Sequence, residues 1–279
     1  MEANNRINLP NYLQPYRSEG LIRIGSNFDG GYLVSLDDIK LSKNLISFGI
    51  ALDWGFEKEF KKVNKKISLY SFDGSVGYKY FKYKLKTRIK NFINNLNKER
   101  FKKLYEMILL ALDFSFFYRF NIKKNKIFHY EKFVNLKIDK KFEDDFILFN
   151  GYQPETISFE EINPLIVPNS FLSIDIEGGE YEILEHLINQ SINMSGLVIE
   201  FHDVHKNMEK IKNFIEDFEL NLIHLHINNF GEIIEKIPSV FELTFSRYAS
   251  ITNELVDTLP NKLDEINNSE GIDYKIFFI

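Results

Sequence analysis

The sequence contains no cysteine. That excludes disulfides, thiolate metal sites and a cysteine nucleophile, and it suits a reducing compartment. Proline is sparse, with seven residues, and no cluster of proline and glycine marks a linker. A single domain over 1–279 is therefore the expectation. No apolar run approaches the roughly 20 residues that a membrane-spanning helix needs. The best candidate, MILLALDFSFF at 107–117, is short and contains Asp113. The opening MEANNRINLPNYLQPYRSEG lacks the apolar stretch of a secretory signal, so a cytoplasmic chain is expected. Positive charge is also lacking. A net charge of −5 argues against a general nucleic-acid binder.

Apolar and aromatic side chains are abundant. Hydrophobic residues make up 44% of the 279, and 27 residues are Phe, enough for a sizeable core. They fall in short β-rich runs: NLISFGI (44–50), ISLYSFD (67–73), KIFHYEKFV (126–134), SFLSIDI (170–176), GLVIEFHD (196–203), LNLIHLHI (220–227) and VFELTFSRY (240–248). Runs that are apolar at nearly every position suit strands covered on both faces. Between them FEKEFKKVN (56–64), EYEILEHLIN (180–189) and NMEKIKNFIEDF (207–218) have helical spacing. The alternation predicts a doubly wound α/β sheet, mostly parallel, with helices on both faces. An N-terminal segment, 1–43, precedes it. At about 76–125 a stretch that is first basic and then apolar interrupts the pattern, which reads as a helical insertion. Its charge is either a solvated face or a cap that meets a phosphorylated substrate.

The chemistry-bearing residues cluster where strands end, the place where ligands bind in open α/β sheets. Gly49 follows the first run, and a glycine there lets the backbone approach a ligand. The surrounding spacing is not that of a dinucleotide-binding loop. Asp73 ends the second run, where it can bind a ribose or simply form a turn with Gly74 and Ser75. Upstream, Asp29-Gly30-Gly31 in RIGSNFDGGYLV is a hairpin signal that could fold over a ligand. In FLSIDIEGGEYEIL, Gly178 and Gly179 serve the turn and Glu180 suits a helix N-terminus, but none of this accounts for Asp175. A carboxylate after an apolar strand is costly to bury unless paired or liganded. Glu200 and His202 share a side at the end of the next run, and His224 and His226 share a side on the one after. Asp175, Glu200, His202 and His226 are expected on one rim, able to hold a divalent ion or to supply a general base.

FLSIDIEGGEYEIL resembles the K-[IV]-D-[IV]-E-G-[AG]-E signature of the FkbM-type methyltransferases, a branch of the Rossmann-like enzymes that use S-adenosylmethionine. RIGSNFDGGYLV, SFGIALDWGFEKEF, the SFD of 71–73, VIEFHDVH, HINNF and FELTFSRY match segments of a subset of that family in order, over roughly 20–250 apart from the insertion. The chain departs from the family at Ser47, where an acid is usual, with Glu57 as a substitute. The resemblance implies O-methylation of a sugar hydroxyl, on a sugar or nucleotide-linked sugar for surface (capsular) polysaccharide, with S-adenosyl-L-methionine as cofactor. It implies that Gly49, Asp73, Asp29, Gly30 and Gly31 bind the cofactor. Asp175 would be catalytic, with His202 or His226 as the base. Alternatively Asp175, Glu200 and His202 would hold Mg or Mn. The chain could form a homo-oligomer. Two rival readings remain: a metal-dependent nucleotide-sugar glycosyltransferase using Asp175-Ile176-Glu177, and a non-catalytic binding protein with a degenerate cofactor site.

Overall fold

The computed structural model describes residues 5–119 and 126–279, so the end of the predicted insertion at 120–125 and the first four residues lie outside the described part. Seven strands form the central sheet: β1 (Asn44–Phe48), β2 (Ser68–Phe72), β3 (Ile127–Tyr130), β4 (Ser170–Ile174), β5 (Met194–Phe201), β6 (Asn221–Ile227) and β7 (Phe241–Ser246). Their spatial order is β3-β2-β1-β4-β5-β7-β6. All neighbours pair parallel except β7, which runs antiparallel between β5 and β6. The chain order reverses between β1 and β4, so the crevice expected at a topological switch point opens at their carboxyl ends.

The strands are buried on both faces, as their composition requires. Every residue of β1, β4, β5 and β7 is buried. Alternate residues feed two cores: Ile46, Leu172 and Ile199 join one, while Leu45, Phe171 and Val198 join the other. The helices α6 (Leu184–Gln190) and α7 (Val204–Asp217) cover the first face through Leu187, Ile211 and Phe214. The second is covered by α1 (Leu36–Leu41), by α2 (Gly55–Val63) and by a hairpin of Leu21–Gly25 with Gly31–Ser35. Each fully buried aliphatic or phenyl side chain contributes about 1.5–3 kcal/mol.

The predicted insertion is a helical hairpin, α3 (Tyr78–Asn94) and α4 (Lys98–Phe114), between β2 and β3. The carboxylate of Glu131 caps α3 by accepting from the backbone N–H groups of Tyr78 and Lys79 at 2.8 and 3.1 Å. A further helix, α5 (Lys140–Asn150), starts with Asp139 capping the Phe142 N–H. Two expected elements come out differently. KIFHYEKFV is a strand only to Tyr130, because the chain then turns and residues 133–134 pair with 156–157 instead. EYEILEHLIN begins as a tight turn over Gly179–Glu182 and becomes α-helical only from Leu184, because Glu180 folds back to bind Gly178 and His202.

Among the described residues, no helix is long and apolar enough to cross a membrane. Asp38 carries a buried liability. Its carboxylate accepts from the Tyr248 N–H at 2.9 Å, yet one oxygen has no partner, and burial pushes its pKa up to about 7. Because the folded-state value lies above that of the unfolded chain, the folded state holds the proton longer. Stability should fall as pH rises from about 4 to about 7. Thermal melts across that range should show this fall. Asp38→Asn should make it shallower, because other buried acids such as Glu57 and Asp175 are raised in the same way, and should melt no lower than the parent at pH 8.

Candidate functional site at the strand tips

Gly49 and Asp175 meet where the sheet reverses. Gly49 has φ +70°, and a Cβ there would lie 1.6 Å from the Asp175 carbonyl oxygen. The Asp175 N–H in turn continues the ladder to the Phe48 carbonyl at 2.9 Å. Glycine at 49 is thus required by the close approach of the β1 and β4 tips. Beyond Asp175 the backbone turns through two left-handed residues, Glu177 (φ +53°) and Gly178 (φ +95°). Only Gly178 of the two glycines needs that freedom.

The tips enclose a cavity of about 820 Å³. Gly49, Ala51 and Asp73 line one side, Asp175 and residues 176–179 another, and Phe133, Phe142 and Phe146 a third. Asp73 is saturated: one oxygen accepts from the Ile50 and Ala51 N–H groups at 2.9 and 2.7 Å, the other from the Ser75 N–H and hydroxyl at 2.6 Å each. All four acceptor positions of the carboxylate are occupied. Asp73 therefore shapes the first turn as well as forming a turn of its own. Beneath that turn, Glu57 is buried in the first turn of α2. Burial pushes it up to about 7 against the pull of the neighbouring Ser47 hydroxyl.

Asp175, Glu200 and His202 offer one ligand atom each within 4.8 Å of one another. His202 Nε2 lies 3.5 Å from Glu200, 3.5 Å from Glu177 and 3.8 Å from Asp175. Its other nitrogen, Nδ1, lies 3.3 Å from Glu180, whose carboxylate also accepts from the His202 N–H at 2.6 Å and the Gly178 N–H at 2.8 Å. Donation from Nδ1–H to Glu180 leaves the Nε2 lone pair facing the carboxylates. Burial lowers the basicity of His202, but the hydrogen bond and charge of Glu180, then Asp175 and Glu177, outweigh it, so its pKa is raised. Burial also raises Asp175, to about 7 against the attraction of His202, and drives Glu200 well above the usual carboxylate range. One oxygen of each, Asp175 Oδ1 and Glu200 Oε2, is enclosed without a hydrogen-bond partner.

A second acidic group adjoins the first through Glu200. Asp29, Glu200 and Glu242 also lie within ligand distance of one another. The Asn228 amide donates to Asp29 and Glu200 at 3.0 and 3.1 Å, and the Asn267 amide to Asp29 and Glu242 at 3.2 and 2.8 Å. The Asp29-Gly30-Gly31 turn thus reaches the acidic rim, and its Tyr32 is buried there. None of the three turn residues lines the cavity. His226 pairs with Glu242 at 3.7 Å, and His224 with Asp264 at 2.9 Å. The structure therefore sets His202, rather than His226, beside Asp175. The basic insertion does not reach the cavity either; Lys137 is the one cation that lines it among the described residues.

Sequence reasoning missed Glu180 as the residue that orients His202, although the last acid of D-I-E-G-G-E signalled it. It also missed the phenyl wall, which nothing local to 133–146 revealed. The tight contact at Gly49 can be tested directly. Gly49→Ala should lower stability by more than about 3 kcal/mol, read from denaturant unfolding, because strain and a backbone clash act together.

Of the comparisons with known proteins, the family model agrees with the motif. No curated protein matches the sequence. Among solved structures, a precorrin-6y C5,15-methyltransferase from Geobacter metallireducens is 11% identical, with 76% of this chain and 86% of that one covered at a TM-score of 0.34. A structure titled putative methyltransferase from Thermoplasma acidophilum is 7% identical, covering 75% and 69% at 0.32. An O-methyltransferase from Bacillus cereus in complex with SAH is 10% identical, covering 76% and 77% at 0.28. Residues 144–246 match the family model described as the methyltransferase FkbM domain, and that stretch holds Asp175, Glu180, Glu200 and His202 together. Over those residues the chain is similar to the FkbM-type methyltransferases.

Proposed function

We propose that the protein is an S-adenosylmethionine-dependent O-methyltransferase acting on a sugar hydroxyl, with the sugar linked to a nucleotide and used for surface (capsular) polysaccharide. The observation that carries this reading is the grouping of Asp175, Glu200 and His202 on the rim of a cavity shared with Gly49 and Asp73. Bound S-adenosylmethionine supplies a methyl group on a sulfonium, an electrophile that needs alignment more than activation. Gly49 and Asp73 would hold its methionine and ribose portions, and the phenyl wall offers a flat face for a base. A ribose hydroxyl would replace the Ser75 hydroxyl at Asp73. Gly30 and Gly31 would act only through the turn that carries Asp29 to the rim.

The chain's own work is on the acceptor hydroxyl. Asp175 would orient it, and such positioning can supply several kcal/mol of barrier reduction. His202 Nε2 would take its proton, which is typically worth 10²- to 10⁴-fold, while the carboxylates stabilise the resulting imidazolium. The donor set also fits a divalent cation such as Mg or Mn. Two enclosed carboxylate oxygens without partners, next to an imidazole nitrogen, are the ligands that a hard or borderline ion prefers. Bound there, such an ion would lower the pKa of a coordinated hydroxyl. His202 Nε2 cannot hold a cation and accept the proton at once, so the two versions separate experimentally.

The test incubates the protein with S-adenosylmethionine and a panel of sugar nucleotides, with and without a chelator, and follows the mass of the acceptor. A gain of one methyl group is expected. Abolition by chelator assigns His202 to the cation, and insensitivity assigns it to the proton. S-adenosylhomocysteine at about 100 times its dissociation constant should add about 2.7 kcal/mol of stability. Stabilisation by a nucleoside diphosphate with manganese instead, with no methyl gain, would overturn the reading in favour of a glycosyltransferase. With a substrate in hand, Asp175→Ala should lose turnover by at least about 100-fold. The Gly178 and His202 N–H groups bind different oxygens of the Glu180 carboxylate. Glu180→Gln therefore keeps an acceptor for only one of them, and should lower the melting temperature as well as lose about 10- to 100-fold in activity.

A further inference from the structure

The α3–α4 hairpin is a projection with an unusual surface. No residue from 82 to 113 is buried, and Phe81 and Phe114 anchor its base to the second core. Towards its tip Ile93 is 67% exposed, Leu96 73%, Phe101 56% and Tyr105 53%. Along α4 this continues as Ile108, Leu109 and Leu112, all exposed, so the apolar stripe follows helical spacing. Charge is segregated onto the same element. The hairpin holds ten of the 35 Lys and Arg residues but only three of the 40 acidic ones, a net +7 in a chain of net −5. α3 itself has six basic residues and no acid. Lys82, Lys86, Arg88 and Lys90 have no ion-pair partner among the described residues, unlike Lys58, Lys79 and Lys103 around them.

We propose that this hairpin docks the protein on an anionic lipid surface, with Ile93, Leu96, Phe101 and Tyr105 entering the interface and the α3 cations meeting acidic headgroups. Exposed aromatic and aliphatic side chains next to a dense set of Lys and Arg are the two components of interfacial binding, one giving apolar burial and the other attraction to negative headgroups. A set of four to eight basic residues on an amphipathic helix is the usual size for such a contact. Self-association of two hairpins would bring +7 against +7, which disfavours a second copy as the occupant. A cation cap over the substrate is disfavoured because no residue of the hairpin lines the cavity. The hairpin base packs against α5: Lys84 donates to the Phe149 carbonyl at 2.8 Å, and the Tyr83 ring covers Gly151. Since α5 supplies Phe142 and Phe146 to the cavity wall, docking would hold the cavity close to the bilayer. The inference does not depend on the reaction performed there.

The test sediments the full chain with phosphatidylcholine vesicles that contain or lack phosphatidylglycerol, at low and high salt. Binding is expected only to the anionic vesicles and should weaken as salt rises, because the Debye length is about 10 Å at 0.1 M. Lys82→Gln, Lys86→Gln, Arg88→Gln and Lys90→Gln combined should reduce partitioning by about 100-fold or more. Ile93→Ser with Leu96→Ser should also reduce it. These positions are not buried, so the variants should keep the parent melting temperature. The proposal is overturned if the parent fails to sediment with anionic vesicles, or if both variants bind as well as the parent. It is equally overturned if light scattering reveals a dimer that the serine variant dissociates while vesicle binding is absent.

Discussion

The site depends on one carboxylate that never reaches solvent. Glu180 is fully buried, which would be prohibitive without partners. Three groups satisfy it: the N–H of Gly178, the N–H of His202 and the imidazole Nδ1 of His202. By accepting from both sides of the β4–β5 gap, it ties the turn after β4 to the tip of β5. The same bonds hold the segment after Gly179 out of a continuous helix and fix the imidazole. The left-handed residues Glu177 and Gly178, and the Gly49–Asp175 contact, are the backbone requirements of that arrangement. Chemistry at the rim is thus built by folding constraints two residues away from the groups that would perform it.

Much of this was legible in the sequence. Strands such as FLSI and GLVIEF are apolar at nearly every position because helices cover them on both sides, so a parallel sheet followed directly. Asp175 stood out because an apolar strand gives no local reason for an acid. Other features were not legible, for identifiable reasons. The antiparallel insertion of β7 between β5 and β6 leaves no local mark, since VFELTFSRY would be equally apolar at an edge. Asp73 was open to two readings, and the structure combines the turn with a clasp on Ile50 and Ala51 that depends on a loop 22 residues earlier. His226 shares a rim with the site by strand number but not by partner, because Glu242 on the intervening β7 takes it.

The distribution of charge follows a pattern of its own. Asp29, Asp175, Glu200 and Glu242 converge at the strand tips, held in place by asparagine amides and the imidazoles of His202 and His226 and, among the described residues, not by Lys or Arg. Such a grouping favours protons or a cation, and the upward shifts of Asp175 and Glu200 express that preference. The cations that would neutralise it are instead on the hairpin, outside the cavity. Segregation of this degree keeps the rim electronegative and leaves the hairpin free to be electropositive.

Because the hairpin buries only its two basal phenyl rings in a core, with Tyr80, Met107, Leu110 and Ala111 half-buried against it, its tip is separable from the rest of the fold. Lengthening it, shortening it or exchanging its surface would leave the seven-stranded sheet, both cores and the Glu180 clasp as they are. The cellular address of such a protein could therefore change over evolutionary time independently of the chemistry, with selection acting on one protruding module.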